Sequence, residues 1–280
     1  MKMITIEDSV PIQTTGHSSK GNQLKWQTGG IWYKADCLGY ESLAEVVASS
    51  FLEMSNISDF VRYEPARIQW QGRLYDGCMS KSFRSGEWQL ITVEKLYYLY
   101  TGLSIAQEMA RYSEAEDRIR AMAGFVEKVT GLSGFGKYLA IMLEIDAFFL
   151  NEDRHTNNIA LLTNPKTGEY DYCPYFDYGA SLFSDLLGDY PLTKNLEQCR
   201  ETISAKPFSE DFDEQADAAC RIYKGGFKFT AGKRDLLKRL EEILADYRNQ
   251  SVRSDAEQIA KRVEDLMREQ LRKYQLYLGR

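Results

Sequence analysis

Paired cysteines, a basic excess, apolar runs of membrane-spanning length and internal repeats are all missing from this chain, and each absence removes a class of protein. The five cysteines (Cys37, Cys78, Cys173, Cys199 and Cys220) are scattered, odd in number and without CxxC spacing, so neither a disulfide framework nor a zinc site is expected. Lysine and arginine total 35 against 41 aspartates and glutamates, a net charge of −6, which argues against nonspecific nucleic-acid binding as the main activity. No stretch reaches membrane-spanning length, and the start, Met1 to Asp8, carries no apolar signal core. A reducing cytoplasm is therefore the expected compartment, with non-classical export leaving no readable signal. Histidine is nearly absent: only His17 and His155 occur, and both fall in polar loops. What remains is an ordinary globule, 44% hydrophobic and 27% charged over 280 residues, long enough for one two-lobed domain or two small ones.

Chemistry concentrates in two places. Asn151-Glu152-Asp153-Arg154-His155-Thr156-Asn157-Asn158 interrupts the chain after an almost continuously apolar run from Phe135 to Leu150. The run suits a buried helix, and the octet reads as a loop because Asn and Asp favour local side-chain bonding. Ile159 to Leu162 then reads as a strand, Asn164 to Gly168 as a turn, and Tyr170 to Phe176 as a returning strand that delivers Asp177 of Phe176-Asp177-Tyr178-Gly179. A hairpin of this kind would bring Asn158 and Asp177 together across nineteen positions. One carboxylate to orient an attacking hydroxyl, plus two oxygen ligands for magnesium, is the set that phosphoryl transfer from ATP requires. Asp153 is the expected base or positioning group, and Asn158 and Asp177 are the expected metal ligands. His155 and Arg154 stay open between bracing the loop and meeting substrate, with hydrogen-bonded bracing the plainer role for His155.

The first eighty residues read as strands around one helix. Gly16 and Gly21 flank His17-Ser18-Ser19-Lys20, a loop whose backbone can approach phosphates, although it is neither a GxGxxG nor a Walker loop. It reads equally as a surface turn. Lys34, in the strand-like run Ile31 to Ala35, can place an ammonium on phosphates; the alternative is an outward-facing edge lysine. A helix from about Glu41 to Met54 has Leu43, Val46, Val47, Phe51 and Met54 on one stripe and Glu41 and Glu45 opposite, either of which can pair with Lys34. Gly77 to Phe83 is the expected inter-lobe hinge, with Met79 and Lys81 against the nucleotide, Met79 being as readily a packing residue. The C-terminal third reads as helices packed on the larger lobe, and Lys233, Arg234, Lys238 and Arg239 as a solvated face.

The Asp-Arg-His-x-x-Asn spacing with the later Phe-Asp-x-Gly resembles the HipA-like serine/threonine kinases and, more distantly, the phosphoinositide-kinase-like group. Ile31 to Asp36, Gly39 to Glu45 and Phe60 to Pro65 resemble the short CtkA-type members of the HipA-like family, over roughly residues 12 to 185. The resemblance implies an α+β fold of the bilobal protein-kinase-like type. It would comprise a small β-rich N-lobe with one main helix (residues 1–83) and a larger, mostly helical C-lobe (84–280). It implies ATP and Mg2+ as cofactors and a protein substrate with a Ser or Thr acceptor. Gly16, Ser18, Ser19, Lys34, Glu45, Met79, Lys81 and His155 would lie around the nucleotide, with Glu45 rather than Glu41 fixing Lys34. It further implies autophosphorylation on the serine-bearing loop, at Ser18 or Ser19. No APE-like element follows Asp177, and the chain is shorter than full-length HipA, so an antitoxin-like or host protein partner is left open. Two other readings stand beside this one: a lipid or small-molecule kinase, and a nucleotide-binding pseudokinase.

Overall fold

The fold was taken from a computed structural model, which describes residues 1–13, 23–84 and 86–279. It is of the α+β class. Contact density divides the chain into two compact units: Met1–Ser82, Phe176–Ile203 and Lys228–Arg280 form the first, and Phe83–Tyr175 with Ser204–Phe227 the second.

From the N-terminus, β1 (Lys2–Thr5), β2 (Leu24–Thr28) and β3 (Ile31–Ala35) precede α1 (Glu41–Leu52), and β4 (Glu64–Trp70) and β5 (Arg73–Lys81) follow it. They form a five-stranded sheet ordered β1-β4-β5-β3-β2, in which β1 runs parallel to β4 and the other pairs are antiparallel. Both tight hairpins turn on two consecutive residues of positive φ, Gly29 (58°) with Gly30 (76°) and Gln71 (48°) with Gly72 (73°). This is the type I′ geometry that matches strand twist and that a glycine pair adopts without strain. One face of the sheet buries Ile6, Trp26, Tyr33, Ala35 and Ile68. The other is covered by α1, every residue of which is buried.

In the second unit, β6 (Gln89–Thr92), α2 (Val93–Thr101), α3 (Ile105–Met109), α4 (Ala115–Thr130) and α5 (Phe135–Phe149) are followed by β7 (Ala160–Asn164) and β8 (Glu169–Tyr172). The three strands make an antiparallel sheet ordered β6-β7-β8. Helix α5 ends where Leu150 takes a left-handed backbone, φ 56°, and the polar octet begins. The chain then returns to the first unit for α6 (Leu196–Arg200). It revisits the second for α7 (Phe212–Tyr223), which packs on α5, and finishes in the first with α8 (Lys233–Gln250) and α9 (Ala256–Lys273).

The compact units cut the chain differently from a single boundary at 83/84, because residues 176–203 and both final helices group with the N-terminal sheet. The physical cause is burial. Leu236, Leu240 and Leu244 of α8 and Ile259, Val263 and Leu266 of α9 are fully covered, and α8 packs against α1 and α9. Arg262 of α9 is itself buried, donating to the carbonyls of Tyr190, Pro191 (2.9 Å) and Lys194 (2.7 Å). No helix among the described residues is long and apolar enough to cross a membrane.

Candidate active site

In the first unit the centre of the site is an ammonium between two carboxylates. Lys34 on β3 donates to Glu45 of α1 in a short, fully buried contact, to Asp177 Oδ1 at 2.6 Å and to the Tyr63 hydroxyl at 3.3 Å. Glu45 accepts a second hydrogen bond from the Tyr178 backbone N–H at 2.8 Å, so one carboxylate ties the lysine to the Phe176–Gly179 segment. Burial alone would lower the Lys34 pKa, but Asp177 and Glu45 more than offset it and hold the group charged. Two carboxylates share one cation, and burial together with Asp177 pushes Glu45 above the usual carboxylate range against the pull of Lys34. Asp177 is the accessible member, with a quarter of its side chain exposed. Its φ of 66° is a left-handed backbone that Asp and Asn tolerate better than most residues.

Glu41 has a different task. Its carboxylate accepts from the N–H groups of Cys37 (3.1 Å), Leu38 (2.7 Å) and Gly39 (2.8 Å), which holds the entry to α1. That entry clamps the segment after Asp177: the Tyr40 hydroxyl donates to Leu182 O at 2.6 Å and Tyr40 N–H to Ser184 O at 3.2 Å. A Cβ on Gly39 would lie 2.0 Å from Ser184 O, so only glycine allows this approach.

In the second unit the Asn151–Asn158 loop is built around a buried ion pair. Arg154 is 1% exposed and grips Asp146 of α5 with two bonds, Nε to Oδ2 at 2.8 Å and Nη2 to Oδ1 at 3.0 Å. Its Nη1 donates to Asn158 O at 3.0 Å, and Asn151 Nδ2 donates to Asp146 Oδ1 at 2.8 Å. Such bidentate, charge-assisted geometry fixes the loop backbone. On that frame, Asn158 Nδ2 donates to Asp153 O at 2.7 Å and to Asp153 Oδ2 at 3.0 Å. The amide nitrogen is thereby committed to Asp153, which leaves Oδ1 as the atom able to ligate a hard cation. His155 accepts from Asn157 N–H at its Nδ1, 3.2 Å, while its Nε2 stands 3.7 Å from Asp153 Oδ1. It lies within the loop as a brace.

Lys34, Glu45 and Asp177 thus converge in one unit, and Asp153, Asn158 and His155 in the other. Met79 and Lys81 do not join Lys34. Residues directly opposite on neighbouring strands share a face, and the register sets Cys78 opposite Lys34 but Met79 opposite Tyr33 and Lys81 opposite Ile31. Met79 accordingly packs on the Trp26–Tyr33 cluster. Gly16, Ser18 and Ser19, with His17, lie outside the described residues. Three contributors escaped the sequence reading. Lys25 is opposite Lys34 on β2 and 3.8 Å from Asp177; Tyr63 touches the lysine; and Asp146 anchors Arg154. Asp146 and Glu144 carried a signal, as the two carboxylates inside the apolar α5 run; Glu144 accepts from Gly226 and Phe227 N–H at 2.8 and 2.9 Å. Among the described residues no group of three or more His, Cys, Asp or Glu converges as a metal site.

No family model matches the sequence, and no curated protein does. Among solved structures, the chain is similar in fold to the Helicobacter pylori proinflammatory kinase CtkA, with a TM-score of 0.58 and 15% sequence identity over 96% of this chain and 95% of that one.

Proposed function

We propose that this chain is a magnesium- and ATP-dependent phosphotransferase that acts on a serine or threonine hydroxyl of protein, itself included. The observation that carries the reading is the buried Lys34–Glu45 contact with Asp177 held beside it: a fixed cation with an accessible carboxylate is a phosphate and metal handle. The fold shared with a kinase supports it. ATP would supply the transferable phosphoryl group, and magnesium the positive charge that lets a nucleophile approach it.

The chain's own residues divide the remaining work. Lys34 would meet phosphate oxygens, its ammonium kept charged by Glu45 and Asp177. Asp177 and Asn158 Oδ1 would hold magnesium, a hard donor set of the kind this ion takes with few protein ligands. Asp153 would accept the hydrogen bond of the acceptor hydroxyl and then its proton, with Asn158 Nδ2 holding the carboxylate in orientation. Arg154 acts through Asp146 and the loop backbone. Ser18 or Ser19 is the proposed autophosphorylation position; a phosphate there would add about two negative charges beside the expected phosphate-covering loop and weaken nucleotide binding.

Incubation with ATP and magnesium, followed by mass spectrometry of the chain and of added protein and inositol-lipid acceptors, tests the assignment. Phosphate on protein hydroxyls is expected, including one within residues 14–20. Transfer to lipid alone would overturn the acceptor class, and no phosphate on residues 14–20 in a preparation that labels protein would overturn the autophosphorylation position.

A further inference from the structure

Inside the first unit, away from Asp177, a cavity of about 130 Å³ lies between β4 and β5, one side of α1 and α8. Its size is close to the roughly 150 Å³ of an apolar core cavity that accepts benzene. Leu43, Val46, Pro65 and Ile243 supply apolar wall. The charged lining is unbalanced: Asp76, Glu242 and Asp246 stand against Arg239 and the Met1 α-ammonium; Arg239 is 3.6 Å from Glu242, and the ammonium donates to Gln250 Oε1 of the same wall. Asp76 is buried, and Asp246 is exposed and makes no ion pair among the described residues. One further wall residue is under-satisfied. Tyr247 is 4% exposed, yet its hydroxyl has no hydrogen-bond partner of proper geometry, the neighbouring Ser251 donating instead to Asp76. A buried hydroxyl left unmade is costly to the fold, and a ligand N–H would satisfy it.

We propose that this cavity is a binding site for a small organic cation, a single ring carrying one ammonium or amidinium group. The ring would fill the space walled by Val46 and Ile243. The cationic group would be held by the net negative charge of the wall, Asp246 foremost, and the Tyr247 hydroxyl would accept one of its hydrogens. Helix α1, which forms one wall, presents Glu45 to Lys34 from another side, so an occupant touches the helix that fixes the lysine. Binding here does not depend on phosphoryl transfer.

Ligand-observed NMR and calorimetry on the full chain, with benzamidine, benzyl alcohol and benzoate as probes, test the site. Benzamidine is expected to bind about tenfold more tightly than benzyl alcohol, as a charge-assisted contact adds to ring burial, and benzoate not at all. Asp246→Asn, on the exposed rim and safe for folding, should weaken benzamidine severalfold, and Tyr247→Phe should do the same. Val46→Phe, which fills the space, should abolish binding. The proposal is overturned if benzoate binds as well as benzamidine, or if Asp246→Asn and Tyr247→Phe both leave benzamidine affinity unchanged. The ranking of the three probes on the unaltered chain decides the matter even where a filling variant does not fold.

Discussion

Asp146→Ala would leave the guanidinium of Arg154 buried and without its counterion. Arg154 is 1% and Asp146 0% exposed, so water cannot replace the lost carboxylate. The variant breaks two charge-assisted bonds, at 2.8 and 3.0 Å, and removes the acceptor of Asn151 Nδ2 at 2.8 Å. Removing one member of a buried ion pair costs about 3–5 kcal/mol, a large share of a typical total of roughly 5–15 kcal/mol. At about 2–4 °C per kcal/mol for a domain of some 150–250 residues, melting should fall by about 6–20 °C. Urea unfolding followed by circular dichroism reads the change as a lower midpoint at unchanged slope. Replacing both partners, Asp146→Leu with Arg154→Met, should recover most of the loss, because no charge is then stranded. A cost below about 1 kcal/mol for Asp146→Ala, or a double variant no better than the single, would refute the idea that this pair frames the loop.

Three further outcomes follow from the same geometry. Asp153→Asn should leave ATP affinity by calorimetry near its original value while transfer falls by orders of magnitude; equal loss of both would make Asp153 a structural residue. Gly39→Ala must push a methyl into Ser184 O and Leu186 and should lower stability by about 1–3 kcal/mol, measurable as the urea midpoint; an unchanged midpoint would mean the segment after Asp177 is not clamped there. Among the five thiols only Cys37 is exposed, and Cys78, Cys173 and Cys199 are buried, so a thiol reagent on the native chain should modify Cys37 first and those three only on unfolding. Even Cys37 should react faster as pH rises through and beyond the ordinary thiol range, because partial desolvation of its sulfur, Glu41 and Asp36 push its pKa up.

Much of the site was legible because its signals are local. The apolar run ending at Leu150, the polar octet, and the turn at Asn164 to Gly168 between two strands all follow from neighbouring residues, and α5, β7 and β8 lie there. The Lys34 strand and the α1 stripe were equally readable. What stayed hidden depends on pairing between distant segments. Strand register, not composition, turns Met79 and Lys81 away from Lys34 and brings Lys25 opposite it. The resemblance already favoured Glu45 over Glu41, but the physical reason, the three backbone N–H groups that hold Glu41, shows only in the fold. The C-terminal third was readable as helices expected on the larger lobe, but α8 and α9 group with the first unit. Asp146 was visible as a misplaced charge whose partner only the fold reveals.

Whether Lys34, Asp153, Asn158 and Asp177 carry phosphoryl transfer is decided by the rate of label transfer from γ-labelled ATP to protein, measured with magnesium for the chain and for Asp177→Asn. Asparagine keeps the shape and tolerates the left-handed backbone at this position, so the variant should unfold at a temperature close to the original. Transfer by the unaltered chain is expected, with a rate at least about a hundredfold lower for Asp177→Asn. Equal rates for the two proteins, or no transfer by the unaltered chain to itself or to any protein acceptor, would contradict these roles.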